Sequence, residues 1–85
     1  MRRSIDDSID DHPRDDLERP ATSWAVGLTD DCDGCGFGEM RVVLTVEEHG
    51  RPGQGLVAHL APETARRLRG AIAAALREGG EEPGQ

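Results

Sequence analysis

The sequence predicts a small α+β domain, in which three antiparallel strands form a meander and one C-terminal helix packs on one face of the sheet (βββα). Two observations lead to this fold class. Three segments between residues 21 and 60 alternate apolar and polar residues with period two, and turn-forming glycines and a proline separate them. The segment that follows repeats its apolar residues with helical spacing instead. The 85 residues leave room for one such domain, which we expect over residues 21–79.

Alternation assigns each strand residue to one of the two sheet faces. The apolar positions of the three predicted strands are expected to face the helix: Trp24, Val26, Leu28, Met40, Val42, Leu44, Val46, Leu56, Ala58 and Leu60. The positions between them are expected to form an uncovered face, which is too apolar to be ideal in water: Ala25, Val43, Thr45, Val57 and His59. Such a face, together with two open sheet edges, favours a homodimer or a protein partner.

The predicted helix starts at Pro62, a residue favoured in the first helical turn, and Glu63 suits the positive end of the helix dipole. Gly79 is the expected left-handed stop. One stripe of the helix is apolar and is expected to cover the sheet: Ala65, Leu68, Ile72, Ala75 and Leu76. Residues 80–85 are predicted to be a flexible tail.

Residues 1–20 are predicted to be a disordered acidic tail, since eleven of them are charged and only four are apolar. A tandem Ser-Ile-Asp-Asp pair lies within this segment. The simplest interpretation is a solvated acidic tail. The alternative is a short motif whose Ile5 and Ile9 dock in the groove of a partner.

The composition disfavours several classes of function. A net charge of −7 argues against nucleic-acid binding, which needs a basic surface. No apolar run approaches the length of a membrane span, and residues 1–20 lack the apolar core of a signal peptide. We therefore expect a cytoplasmic protein with reduced cysteines and no membrane contact.

The only candidate for metal chemistry is the pentad Cys32-Asp33-Gly34-Cys35-Gly36, which holds both cysteines of the chain. Two thiolates at this spacing can bind one zinc ion, and the glycines permit a tight turn, but structural zinc takes four ligands. His49 is expected roughly 30 Å away along the second strand. His59 is expected in mid-strand beside Val43 or Thr45, so a complete site within one chain is disfavoured.

Two ways of completing a zinc site stay open. Two chains can each donate Cys32 and Cys35 and share one ion, or nearby side chains can add ligands. The nearby candidates are Asp30, Asp31, Asp33 and His12. The simpler interpretation is a tight turn without a cofactor, in which the cysteines are small half-buried residues.

No catalytic group is recognisable in the sequence, and we predict that the protein is not an enzyme. The cysteine pair follows a strand and leads into another, so no helix N-terminus activates it for redox chemistry. The leading expectation is a small protein-interaction or regulatory module, dimeric or bound to a partner protein; a zinc-stabilised module is the alternative. The candidate partner-binding residues are Ile5, Ile9, Phe37, Val43, Val57 and His59.

The segment Leu56–Leu68, continued by an alanine-rich stretch to Leu76, resembles the C-terminal strand and helix of several small proteins from high-GC bacteria. Their shared pattern is an apolar strand, then Pro-Glu, then Ala-Arg-x-Leu. The resemblance implies a strand that leads directly into a helix, and it implies no activity.

Overall fold

The computed structural model describes residues 1–84, which form four β-strands and one α-helix. In chain order these are β1 (Arg2–Ile9), β2 (Thr22–Thr29), β3 (Arg41–Glu48), β4 (Leu56–Leu60) and α1 (Pro62–Glu78). The strands form one antiparallel sheet in the order β1-β2-β3-β4. The α+β class and the meander are confirmed, but the prediction of three strands is wrong.

The strand register confirms the two predicted faces of the sheet. Val26 lies opposite Leu44, which lies opposite Ala58, so the apolar positions of three strands share the face that α1 covers. On the other face Val43 lies opposite His59. We refer to these as the helix face and the open face of the sheet.

The first strand is the main departure from the prediction. Residues 2–9 were expected to be disordered, yet they pair with β2 along its whole length, with a bulge between Ser4 and Asp6. Nearly all of β1 is exposed, and only Ile9 is half-buried. An edge strand that is exposed on both faces needs no alternating apolar pattern, because its stability comes from backbone hydrogen bonds to the neighbouring strand. Its polar sequence is therefore compatible with a strand.

Two aspartates that accept hydrogen bonds from threonines of β2 fasten the ends of the β1–β2 pair. The Thr22 hydroxyl donates to Asp10 at 2.8 Å, and the Thr29 hydroxyl donates to Asp31 at 2.6 Å. The Arg2 side chain of β1 also contacts Asp31, at 3.3 Å. The Thr29 hydroxyl, followed by Arg2, lowers the pKa of Asp31 to about 2. The Thr22 hydroxyl likewise lowers the pKa of Asp10.

These contacts predict that acid loosens β1. Since the folded pKa of Asp31 lies below its unfolded value of about 3.9, its carboxylate stabilises the strand pair above that pH. The contribution is lost as the pH falls from about 4 towards about 2. An NMR titration that follows the amide shifts of β1 should show this change in the wild-type chain. Asp31→Asn should show the loosened state already at neutral pH, whereas the exposed control Asp15→Asn should behave as wild type. Identical titrations of Asp31→Asn and wild type would contradict the assignment.

The helix begins as predicted, at Pro62, and extends to Glu78. Its end differs from the prediction. Gly79 keeps a negative φ of −79°, and Gly80, with φ +80°, supplies the left-handed residue. The Gly80 amide donates to the Arg77 carbonyl and the Glu81 amide donates to the Leu76 carbonyl, which is the hydrogen-bond pattern of a Schellman cap. The predicted tail over 80–85 ends at Gln85, which lies outside the described residues.

The helix lies over one face of the sheet but leaves apolar side chains between the two layers exposed to solvent. Its least exposed residues are Ala65, Ala73 and Leu76, while Ile72 is 57% exposed. Within residues 1–84 the only buried apolar side chain is Ala21, at 6% exposure. The chain measures 42 × 32 × 18 Å, so it is a thin plate with almost no interior.

Candidate metal centre

The loop of residues 30–40 joins β2 to β3 and carries both cysteines in a tight turn. The Gly36 amide donates to the Cys32 carbonyl at 3.1 Å and to the Asp33 carbonyl at 3.3 Å. Gly36 has φ +108°, a conformation that favours glycine. The base of the loop is closed by the Gly38 amide, which donates to the Asp30 carbonyl at 2.8 Å. The turn predicted from the Cys-x-x-Cys-Gly spacing is therefore present.

This turn brings three metal-ligating groups together. The Cys35 sulfur lies 3.4 Å from Nδ1 of His59, a residue of β4. The sulfurs of Cys32 and Cys35 and a ring nitrogen of His59 all lie within 4.8 Å of one another. Both cysteines are half-buried free thiols, and His59 is exposed. Two sulfurs and one imidazole form a donor set that suits zinc.

The sequence predicted His59 in mid-strand and disfavoured a complete four-ligand site within one chain. The structure brings His59 next to the two cysteines, in a group of three possible ligands. Its predicted register was correct, since His59 pairs with Val43 on the face opposite Leu44. However, β3 begins only at Arg41, so Val43 is the third residue of the strand rather than a central one. A distance of two residues along a strand is only about 7 Å. The loop that precedes β3 reaches His59, since the Cys35 sulfur lies 3.4 Å from its Nδ1.

Backbone donors and the neighbouring sulfur set the acidity of the two thiols. The backbone amide of Cys35, then the Cys35 thiol itself, lower the pKa of Cys32. The pKa of Cys35 is raised by its hydrogen bond to Cys32 and next by burial, which the Arg41 guanidinium partly offsets. Arg41 also donates a hydrogen bond to the Cys35 carbonyl at 3.5 Å. In the absence of a metal, Cys32 is the sulfur that is better prepared to be a thiolate.

The other proposed ligands do not join this group among the residues the structure describes. His12 pairs with Asp16 at 2.8 Å in the loop between β1 and β2. Asp31 is engaged by Thr29 and Arg2. His49 lies in the turn after β3. Asp30 and Asp33 lie in the same loop as the cysteines, but the metal-ligating group contains only Cys32, Cys35 and His59.

Most of the predicted partner-binding residues lie at or near the open face. Val43 and His59 are opposite each other there, and Val57 lies two residues from His59 on the same strand, opposite Thr45. Phe37, at the tip of the cysteine loop, is 84% exposed. Ile5 is exposed at the bulge of β1, and Ile9 is half-buried at the end of that strand.

A second feature, on the helix face, was not predicted. An open groove of about 590 Å³ runs between α1 and the sheet. Apolar side chains form its floor and one wall: Val26, Val42, Leu44, Leu60, Leu68 and Ile72. Three arginines of α1 also line it: Arg66, Arg69 and Arg77. We call this the helix–sheet groove.

Comparison of the chain with protein-family models, with curated proteins and with solved structures found no match. The strand-then-helix arrangement implied by the resemblance of residues 56–76 is present as β4 and α1. Within residues 1–84, no helix combines the length and the apolar character needed to cross a membrane.

Proposed function

We propose that this protein is a small non-enzymatic interaction module that completes its core by pairing with a second copy of itself through the helix–sheet groove. The observation that carries the proposal is the near absence of an interior in a single chain. Only Ala21 is a buried apolar residue among residues 1–84, whereas Leu68 and Ile72 of the groove stay exposed. A domain of this size needs buried apolar area to offset the entropy of folding.

The exposed area of the chain is consistent with pairing. Its accessible surface is 6803 Å². A folded monomer of 9.2 kDa is expected to expose roughly 4,900 Å². The excess of about 1,900 Å² per chain falls in the range that each subunit of an obligate dimer buries. The radius of gyration, 14.8 Å, also exceeds the roughly 12 Å expected for a compact chain of this length.

The charges around the groove favour a second copy over an uncharged occupant. Arg66, Arg69 and Arg77 lie on its helix side. On the same sheet face, at the β1 edge, Asp6 lies opposite the groove residue Val26. In a twofold pair each surface patch meets the corresponding patch of the other subunit, so the arginines of one copy can face Asp6 of the other. This arrangement combines an apolar centre with charged surroundings, as in many protein interfaces.

The proposal describes a binding protein rather than an enzyme, and it places the chain in the cytoplasm, where cysteines stay reduced. Both cysteines are free thiols, as expected in a reducing compartment.

Solution mass tests the pairing. In sedimentation equilibrium over a wide concentration range, the wild-type chain should approach twice its mass as concentration rises. Ile72→Asp should shift the population to the monomer, since a charge at the centre of an apolar interface is costly to desolvate. Ile72 is already 57% exposed in the single chain, so the variant should not be blocked from folding for local reasons.

Ala74→Asp is the matched control. It adds the same charge to the same helix, and Ala74 is exposed and absent from the groove lining. It should dimerise as wild type does. A wild-type chain that is folded and monomeric at every concentration would overturn the proposal. Equal masses for the Ile72→Asp and Ala74→Asp variants would place the interface elsewhere.

A further inference from the structure

We propose that Cys32, Cys35 and His59 of one chain bind one zinc ion and leave its fourth coordination position open. In a tetrahedral site with Zn–S near 2.3 Å and Zn–N near 2.0 Å, ligand atoms lie roughly 3.5–3.8 Å apart. The observed Cys35 sulfur to His59 Nδ1 distance is 3.4 Å, and all three ligand atoms lie within 4.8 Å of one another. Small side-chain rotations would therefore bring the three groups to zinc-binding distances.

Backbone hydrogen bonds fix the loop that carries the two cysteines. The Gly36 amide donates to the Cys32 carbonyl at 3.1 Å, and the Gly38 amide donates to the Asp30 carbonyl at 2.8 Å. Arg41 places a positive charge beside Cys35. On zinc binding both thiol protons pass to solvent, and the two thiolates neutralise the charge of the ion.

The three ligands lie on two separate parts of the fold. Cys32 and Cys35 belong to the loop between β2 and β3, and His59 belongs to the edge strand β4. Zinc would therefore join the loop to β4 across the open face. Small domains with little core commonly obtain part of their folding energy from such a metal. We therefore expect zinc to stabilise the fold as well as to bind to it.

The fourth position distinguishes this site from a shared two-thiolate site. Among the described residues, no fourth His, Cys, Asp or Glu joins the group. A zinc ion with three protein ligands carries water or an exogenous ligand in the remaining position. His59 is exposed, so that ligand can come from solvent or from a bound protein. One ion per chain follows, rather than one ion per two chains.

Metal content and spectroscopy test the site. Protein purified under reducing conditions without chelator should contain one zinc per chain by elemental analysis. Substituted Co²⁺ should give the intense visible bands of tetrahedral coordination together with thiolate-to-cobalt charge transfer. Cys35→Ser and His59→Gln should each weaken zinc binding by at least about 100-fold, because even the loss of a residue that only orients a ligand costs 10–100-fold.

His49→Gln is the matched control, since His49 is an exposed histidine outside the group. It should bind zinc as the wild-type chain does. Zinc should also raise the melting temperature of wild type and of His49→Gln, but not that of His59→Gln. Circular dichroism of metal-free His59→Gln should match that of the metal-free wild-type chain, which would separate ligand loss from misfolding.

Three results would overturn the inference. These are an absence of zinc in protein with two free thiols, a stoichiometry of one zinc per two chains, and unchanged zinc affinity in His59→Gln. The site is independent of the proposed pairing, because it lies on the open face and the groove lies on the helix face. Ile72→Asp should therefore bind zinc normally, so that each proposal can fail without the other.

Discussion

Replacing Gly27 by alanine is expected to displace β1 from the sheet. Gly27 of β2 lies opposite Ser4, beside the bulge of β1. A Cβ atom at this position would lie 2.6 Å from the Arg3 carbonyl oxygen and 3.6 Å from the Ser4 Cα. The nearest atom is backbone, so no flexible side chain can move aside. Overpacking of this kind costs about 1–3 kcal/mol, and β1 has few side-chain contacts with which to offset it.

Hydrogen exchange measures this displacement directly. The amides of residues 2–9 that pair with β2 should lose protection in Gly27→Ala, while the pairing of β2 with β3 should keep it. Gly79→Ala is the control, since its added Cβ would make only ordinary contacts, at 3.5 Å and 3.6 Å, with the Ala75 and Leu76 carbonyls. Unchanged protection of β1 in Gly27→Ala would show that this strand does not occupy the place described above.

The alternating apolar pattern predicted β2, β3 and β4, the strands that place apolar side chains against the helix. Val26, Leu44 and Leu60 recur at alternating positions because one face of β2, β3 and β4 lies against the helix. β1 lies at the edge of the sheet and is exposed on both faces, so no apolar pattern marks it. The available signals were indirect. Thr22 and Thr29 stand at the two ends of β2 and donate hydrogen bonds there, and Gly27 within that strand allows the close approach of another backbone.

The metal group was predictable only in part, for a physical reason. The spacing of Cys32, Cys35 and Gly36 is local, so the sequence predicts the turn directly. The approach of His59 is non-local and depends on where β3 begins and how the loop bends. A shift of two residues along a strand changes the expected distance by about 7 Å, which is larger than the metal site itself. Strand boundaries read from sequence are uncertain by about that amount.

The helix shows a further limit of pattern reasoning. Its apolar stripe predicts that α1 lies on the sheet, and it does, but amphipathicity alone cannot indicate how tightly the two layers close. The small residues Ala65 and Ala73 are half-buried, while the larger Ile72 remains 57% exposed. Apolar side chains of the helix that stay exposed in one chain can pack against another chain. This is the physical link between the helix sequence and the proposed pairing.

Leu44→Ala is expected to cause a large loss of stability. Leu44 lies in the middle of β3, lines the floor of the helix–sheet groove and is only half-buried in the single chain. If a second copy covers the groove, Leu44 becomes a core residue, and its truncation should lower the free energy of unfolding by about 2–5 kcal/mol. The denaturation midpoint should also rise with protein concentration in the wild-type chain, because unfolding is then coupled to dissociation.

Leu56→Ala is a control with the same chemistry on the same sheet face. Leu56 pairs with Val46 at the far end of β4, is 83% exposed and does not line the groove. Its truncation should change stability by no more than about 0.5 kcal/mol, as for surface sites in general. Chemical denaturation of both variants at matched concentrations decides between the alternatives. Similar small losses of stability in Leu44→Ala and Leu56→Ala, with a denaturation midpoint independent of concentration, would mean that the groove stays open in solution. A large loss of stability confined to Leu44→Ala would mean that a second copy fills the groove.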